Sequence, residues 1–315
     1  MDRVLEINVN HMTGRLVGDP HVGREFRTGV PLHRRGDRED SIKQSLSSAT
    51  CFGGDFVVLV GDVFDKFVVS NADVIWLSEL LVGRCSQYPN TKFFVLRGNH
   101  DASRDVDKVS SFEMLKRLVQ GVTSNVIFVD NDPYEWNGIV FFPWCPFETA
   151  LEVVERGPDS FEVAIGHWDL GSFGGDDSNV IPYDALSRRC TRVYTGHVHS
   201  PSEFQHGPLR VTVVGSLQPY SHAEDPQGDR YITLRLDELD EHDVRNKCVR
   251  IDLAEGEEVP VDLDCLALQT RPLKADEEAE EVTLGEFNML QILTECLTEA
   301  GVPDKIQKEV FDRYA

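Results

Sequence analysis

The sequence has no run of apolar residues long enough to cross a bilayer, and its opening stretch, MDRVLEINVNHMTGRL, lacks the apolar block of a secretory signal. These absences predict a cytoplasmic protein with no membrane partner. The seven cysteines (Cys51, Cys85, Cys145, Cys190, Cys248, Cys265, Cys296) form no CxxC pair. An odd, scattered set reads as reduced thiols, which excludes a disulfide framework and a zinc ribbon. Basic residues are also short: 31 Lys and Arg against 54 Asp and Glu leave a formal net charge of −23. Such a chain does not attract polyanions by itself. A phosphate-bearing substrate would need positive charge from bound cations or from a basic partner.

The deficit is uneven. Residues 237–281 hold 16 Asp and Glu against 5 Lys and Arg, whereas GREFRTGVPLHRR (23–35) is locally basic. Otherwise the composition, 41% hydrophobic and 27% charged, is that of a globular protein, and 315 residues suffice for one large α/β domain with an appendage.

FVVLVGD (56–62) and KFFVLRGN (92–99) read as buried parallel strands. Between them NADVIWLSELLVGRC has helical spacing behind a cap at Asn71, and SSFEMLKRLVQG predicts a second helix stopped at Gly121. This strand–helix alternation is the signature of right-handed βαβ units. Further strands are predicted at NVIFVD, GIVFFPW, FEVAIGH, TRVYTGH, LRVTVVGS and RYITLRLDE, with only brief helical patterns between them. The fold class expected is α/β, a two-sheet sandwich with helices outside. Residues 1–237 form its main domain. Residues 238–281 read as a small acidic capping module or linker with one or two strands (KCVRIDL, VDLDCLALQ). Residues 282–315 carry two amphipathic helical patterns broken at AGVPD, a segment suited to docking.

Side chains with metal-ligand chemistry gather at strand ends. RLVGDPH ends in Asp19 and His21; FVVLVGDVFD in Asp62 and Asp65; FFVLRGNHD in Asn99, His100 and Asp101; VAIGHW in His167; VYTGHVH in His197 and His199. Each motif taken singly is weak: DxH recurs by chance, and GDxxD is often a turn. The ordered set is not a chance product, and it places these residues at the carboxyl edge of a sheet, where open α/β folds bind ligands. Carboxylate, imidazole and amide oxygen donors suit Mn²⁺, Fe²⁺ or Zn²⁺, and no clustered thiolates point to structural zinc.

The order DxH…GDxxD…GNHD…GH…GHxH resembles that of the calcineurin-like metallophosphoesterases, with Pro20 a departure inside the first motif. The resemblance implies a four-layer β-sandwich holding two divalent ions, Mn²⁺ first, with Mg²⁺, Fe²⁺ or Zn²⁺ as alternatives. One ion would take Asp19, His21, Asp62 and His199; the other Asp62, Asn99, His167 and His197, with Asp62 bridging. His100 matches the catalytic histidine, Asp101 the acid that orients it, and Asp65 completes the catalytic set.

Protein phosphatases carry GDxVDRG and GNHE where this chain has GDVFDKF and GNHD. GDVFD, the arginine-bearing loop before the first helix, and VVGSLQPYS are instead similar to the SbcD-type DNA-repair nucleases. FFPWCPFE, AIGHWDLGSF, VYTGHVHS and AEDPQGDR look most like the phage branch of that group, the nuclease subunits of phage recombination endonucleases. This likeness covers residues 12–237 and, loosely, the C-terminal helices; it places the equivalent start at Met12 and leaves residues 1–11 without a role. It implies 3′–5′ exonuclease and single-strand endonuclease activity on DNA. It further implies an SbcC-like coiled-coil ABC-type ATPase partner docked on the terminal helices, and a homodimer. The competing expectation is a small-molecule or cyclic-nucleotide phosphodiesterase of the same fold. A non-catalytic scaffold fits poorly, because every expected ligand position is filled.

Overall fold

The computed structural model describes residues 3–102, 108–171, 177–260 and 263–273. The chain divides into two compact units, Met1–Arg271 and Pro272–Ala315. The terminal segment 282–315 lies outside the described residues.

The first sheet runs in the order β1 (Leu5–Val9), β2 (Met12–Val17), β3 (Phe56–Val60), β4 (Lys92–Leu96), β5 (Val126–Val129). Only the β1–β2 hairpin is antiparallel. The connections β2–β3, β3–β4 and β4–β5 pass through α1 (Asp37–Thr50), α2 (Asn71–Gln87) and α3 (Ser111–Gln120). The cap of α2 is Ser70 rather than Asn71: the Ser70 hydroxyl accepts the Asp73 N–H at 3.2 Å. A residue with extended φ/ψ and a free oxygen belongs one position earlier than the periodicity suggests.

The second sheet contains β6 (Tyr134–Trp136), β7 (Ile139–Phe142), β8 (Val163–Gly166), β9 (Arg192–Thr195), β10 (Ser202–His206) and β11 (Leu209–Val213), in the order β10-β11-β9-β8-β7-β6. Short helices α4 (Ala150–Glu155) and α5 (Tyr183–Ser187) cover its outer face.

The period of two along each strand sorts side chains between cores. Phe56, Val58 and Val60 of β3 meet Phe141, Val163 and Ile165 of the second sheet in the sandwich interior, where Phe94 and Phe141 stack at 4.3 Å. The alternate residues Val57 and Leu59 face helices α1–α3, and Val140 and Ala164 face α4 and α5. Helix, sheet, sheet and helix make the four layers expected, and the continuous apolar runs follow from strands buried on both faces.

Residues 5–9 are not a passive extension. Ile7 and Val9 of β1 are buried in the inter-sheet core, on an edge strand that pairs along its whole length with β2. A chain beginning at Met12 is therefore expected to lose a few kcal/mol of stability, at about 1.5–3 kcal/mol per buried aliphatic side chain. A lower midpoint in chemical denaturation measures it.

A third, small sheet of β12 (Tyr231–Arg235), β13 (Cys248–Leu253) and β14 (Ala267–Pro272) has its own apolar cluster around Leu234, Val249, Ile251 and Cys265. Its first strand comes from ahead of residue 238. The acidic segment meets the basic loop directly: Asp264 lies 3.5 Å from His33 and 3.6 Å from Arg34. The six cysteines among the described residues are free thiols.

Candidate metal centre

Five parallel strands end at one edge of the sandwich: β2, β3 and β4 from the first sheet, β8 and β9 from the second. The loops that follow carry the sequence-predicted residues. Asp19, His21, Asp62 and His197 all have positive φ (26°, 48°, 44° and 71°), a left-handed conformation that Asp and His adopt more readily than most side chains. The glycines beside them leave room for tight approach. A Cβ on Gly98 would lie 2.2 Å from the Asp62 nitrogen, and one on Gly61 2.2 Å from His167 Nδ1.

Among the described residues the donor atoms fall into three groups: Asp19, His21 and His199; Asp62, His167 and His197; and His21, Asp62 and His100. In the first, His21 Nε2 and His199 Nε2 are 3.1 Å apart, and Asp19 Oδ2 is 3.8 Å from His199 Nε2. In the second, Asp62 Oδ2 is 3.3 Å from His167 Nε2. The Asn99 amide oxygen joins that group, 3.0 Å from His167 Nε2 and 2.9 Å from His197 Nδ1. Asp62 is shared by two of the three groups.

The imidazoles are oriented by their other nitrogens. His167 Nδ1–H donates to the Val60 carbonyl at 2.8 Å, and His199 Nδ1 faces Glu224 Oε1 at 3.3 Å. Both leave Nε2 aimed at the cluster, as in metal sites whose second ring nitrogen is committed elsewhere. The donor set fits divalent ions on a second ground: Asp19 is fully buried and both of its carboxylate oxygens lack a hydrogen-bond donor. A buried acceptor left so exposed in charge requires a cation or a proton. Burial pushes the Asp19 pKa up to about 7. For His167 burial opposes charge, but Asp62 and Asp19 outweigh it and raise the ring to about 10. Asp62 is held low by the surrounding histidines despite its own burial, whereas burial, then His167, lowers His197 to about 4.

His100 is the half-exposed member. Its Nδ1–H donates to the Asp65 carbonyl at 2.5 Å, its backbone N–H donates to Asp62 Oδ1 at 2.8 Å, and Nε2 lies 3.8 Å from Asp62 Oδ2. Asp101 does not orient it. The buried Asp101 carboxylate accepts three backbone N–H groups, from Val63 (3.2 Å), Phe64 (2.9 Å) and Gly98 (2.9 Å), and so ties the β3 and β4 loops together. Asp65 makes two supporting contacts. Its carbonyl holds His100, and its carboxylate lies 3.7 Å from His21 Nδ1 and 3.3 Å from Arg24.

Sequence reasoning missed the support. The buried Tyr220 hydroxyl donates to the Pro20 carbonyl at 2.7 Å, and its ring stands edge-on to His21 at 5.2 Å. Arg3 donates to the carbonyls of His199 (3.0 Å) and Glu224 (2.5 Å). Glu224 lies in the AEDPQGDR stretch, but nothing in its spacing signals a carboxylate behind His199. Glu224→Gln is expected to weaken binding at the Asp19–His21–His199 group by about 10–100-fold, the usual scale for such outer partners. Metal titration of the dialysed protein measures it, with the Asp62–His167–His197 group unchanged.

A two-sheet sandwich with mixed carboxylate, imidazole and amide donors at the strand ends defines a centre built for hard or borderline divalent cations. Residues 15–201 match the calcineurin-like phosphoesterase family, and the chain belongs to it. Membership makes it a metal-dependent hydrolase of phosphate esters. No curated protein sequence matches it. Similar solved structures include phosphopantetheinyl hydrolase from Mycobacterium tuberculosis, 13% identical over 66% of this chain and 93% of that one, with a TM-score of 0.40. Nuclease MPE from Pseudomonas putida is also 13% identical, over 70% of this chain and 94% of that one, with a TM-score of 0.28. Among the described residues no helix is long and apolar enough to cross a membrane.

Proposed function

We propose that the protein is a two-metal DNA nuclease, the nuclease subunit of an SbcCD-like repair or recombination complex, using Mn²⁺. The observation that carries the two-metal part is the pair of donor groups, Asp19–His21–His199 and Asp62–His167–His197, with Asn99 in the second and His100 beside Asp62. The DNA part rests on the motif likeness of GDVFD, VVGSLQPYS and the arginine-bearing loop to SbcD-type nucleases.

When bound, the ions would polarise the phosphoryl oxygens and activate water as nucleophile. The chain's own residues do the rest. Asp62 is a donor of the second group and also clusters with His21 of the first, Asn99 adds a neutral oxygen, and Val60 and Glu224 fix the ring orientations of His167 and His199. His100 in its doubly protonated form keeps Nδ1–H on the Asp65 carbonyl and offers Nε2–H to the leaving oxygen. The proposed complex adds an SbcC-like ATPase docked on residues 282–315, in a homodimeric cytoplasmic assembly.

The test is Mn²⁺-supplemented cleavage of labelled duplex and single-stranded DNA, alone and with a co-expressed coiled-coil ATPase. Release of nucleotides supports the reading. Inertness toward DNA under all these conditions, with hydrolysis of bis-p-nitrophenyl phosphate retained, assigns the protein to small-molecule phosphodiesters instead. Co-purification that survives truncation at residue 282 removes the terminal segment as the dock.

A further inference from the structure

Tyr220, the basic loop 24–30 and the third sheet line a cavity of about 230 Å³. Four guanidinium groups line it: Arg24, Arg27, Arg38 and Arg250. In a chain of charge −23 this is a concentration of the minority sign. The loop is pinned to the sheet by the Leu268 N–H, which donates to the Gly29 carbonyl at 2.8 Å.

Arg38 is the telling member. It is only 1% exposed. Its contacts are the Tyr231 hydroxyl at 3.0 Å, Cys248 Sγ at 2.8 Å and the Pro219 carbonyl at 3.4 Å, with the Phe26 ring 4.0 Å from its guanidinium carbon. Its Nε–H has no partner, and no carboxylate pairs with it among the described residues. A buried cation without a counter-ion is costly, and an anion in the adjoining cavity would offset that cost. The Arg250 side chain likewise makes no hydrogen bond or ion pair among the described residues. The one carboxylate in the lining, Glu25, is tied to Arg27 at 2.6 Å, and Arg24 is held at 3.3 Å by Asp65.

We propose that this cavity is an anion subsite for a backbone phosphate of the nucleic-acid strand, next to the one being cleaved. The inference rests on the DNA reading above and names how an acidic protein holds its substrate. Guanidinium groups match phosphate oxygens in geometry and charge. Tyr220 is the shared wall: Arg24 lies 4.6 Å from one face of its ring, and His21 and His199 stand at 5.2 and 5.6 Å from its centre. A strand with one phosphate at Arg38 and Arg250 would thus present a neighbouring linkage to the metal centre.

Binding of a short fluorescent oligothymidylate to EDTA-dialysed protein, followed by anisotropy across a salt series, tests the cavity apart from the metals. Arg250→Ala is expected to weaken binding roughly tenfold, and to reduce the slope of log K against log salt by about 0.7, the value for one lost single-strand phosphate contact. Hydrolysis of bis-p-nitrophenyl phosphate by the metal-loaded variant should equal that of wild type. Arg27→Ala provides a second variant on the exposed rim. Unchanged affinity and slope in both folded variants would overturn the proposal. So would inorganic phosphate competing as well, per phosphate, as the oligonucleotide, since the site would then serve a free anion. If wild type binds through Arg250 but cleaves no DNA, the nuclease reading fails and the subsite stands. If it cleaves DNA and binding does not depend on Arg250, the nuclease reading stands and the subsite fails.

Discussion

Asp62→Asn is expected to purify folded, retain almost no divalent metal after dialysis, and lose on the order of a thousandfold in phosphodiester hydrolysis. Asp62 is the one carboxylate that belongs to two donor groups, and its Oδ2 lies 3.3 Å from His167 Nε2 and 3.8 Å from His100 Nε2. Asparagine keeps the shape and an oxygen to accept the His100 N–H, so the β3–β4 loop contact survives. What disappears is the negative charge that both groups share. Metal ions contribute several kcal/mol of transition-state charge stabilisation, and each 1.36 kcal/mol is tenfold in rate, which gives the thousandfold scale. Single removal of His197 or His199 should behave differently, because each sits in only one group. Elemental analysis would then show roughly one ion retained in each histidine variant. An Asp62→Asn protein that still holds two ions per chain would sink the shared-ligand assignment.

The second large effect concerns His100. His100→Ala is expected to keep its metals yet lose about 10²–10⁴-fold in DNA cleavage, the range for a positioned proton donor. The decisive comparison is the leaving group. Nitrophenolate departs without a proton, so bis-p-nitrophenyl phosphate should lose far less than DNA does. His100 also lies within reach of His21 and Asp62 as a donor group, so metal content has to be measured alongside the rates. Equal losses on both substrates with full metal content would mean that His100 stabilises charge rather than transferring a proton. Loss of metal would make it a ligand.

The parts of this molecule legible in sequence are those with short-range signatures. Runs such as FVVLV and KFFVL, closed by Gly and then by Asp, Asn or His, announce both a buried strand and what its end carries. The residues at the end of β2, β3, β4, β8 and β9 meet because parallel strands share one carboxyl edge. Long-range support is not legible. Arg3 reaches His199 and Glu224 from the far end of the chain, and no local pattern marks such a pairing. The family likeness begins at Met12 and so passes over β1, although LEINV alternates as a half-buried edge strand should. Asp101 misleads for a different reason. Its partners are backbone N–H groups of Val63, Phe64 and Gly98, which sequence does not display, so a carboxylate beside a catalytic-type histidine looks like its orienting acid.

The donors come from both sheets of the sandwich: Asp19, His21, Asp62 and Asn99 from one, His167, His197 and His199 from the other. An ion seated among them would therefore work as a removable rivet between two halves that otherwise meet along this edge through apolar packing and a few hydrogen bonds such as His167 to Val60. His21 and His199 are 178 residues apart in the chain, so such a rivet closes a circuit through most of the fold. Parting the sheets at this edge would require releasing the ion first. The melting temperature should accordingly climb with metal concentration, by the equivalent of about 2.7 kcal/mol at a hundredfold excess over the dissociation constant. In metal-free protein, backbone amides of the strand-end loops should exchange with solvent well before those of the Phe94–Phe141 interior. The catalytic edge would then be the seam along which the protein opens, and metal supply would govern how long it stays closed.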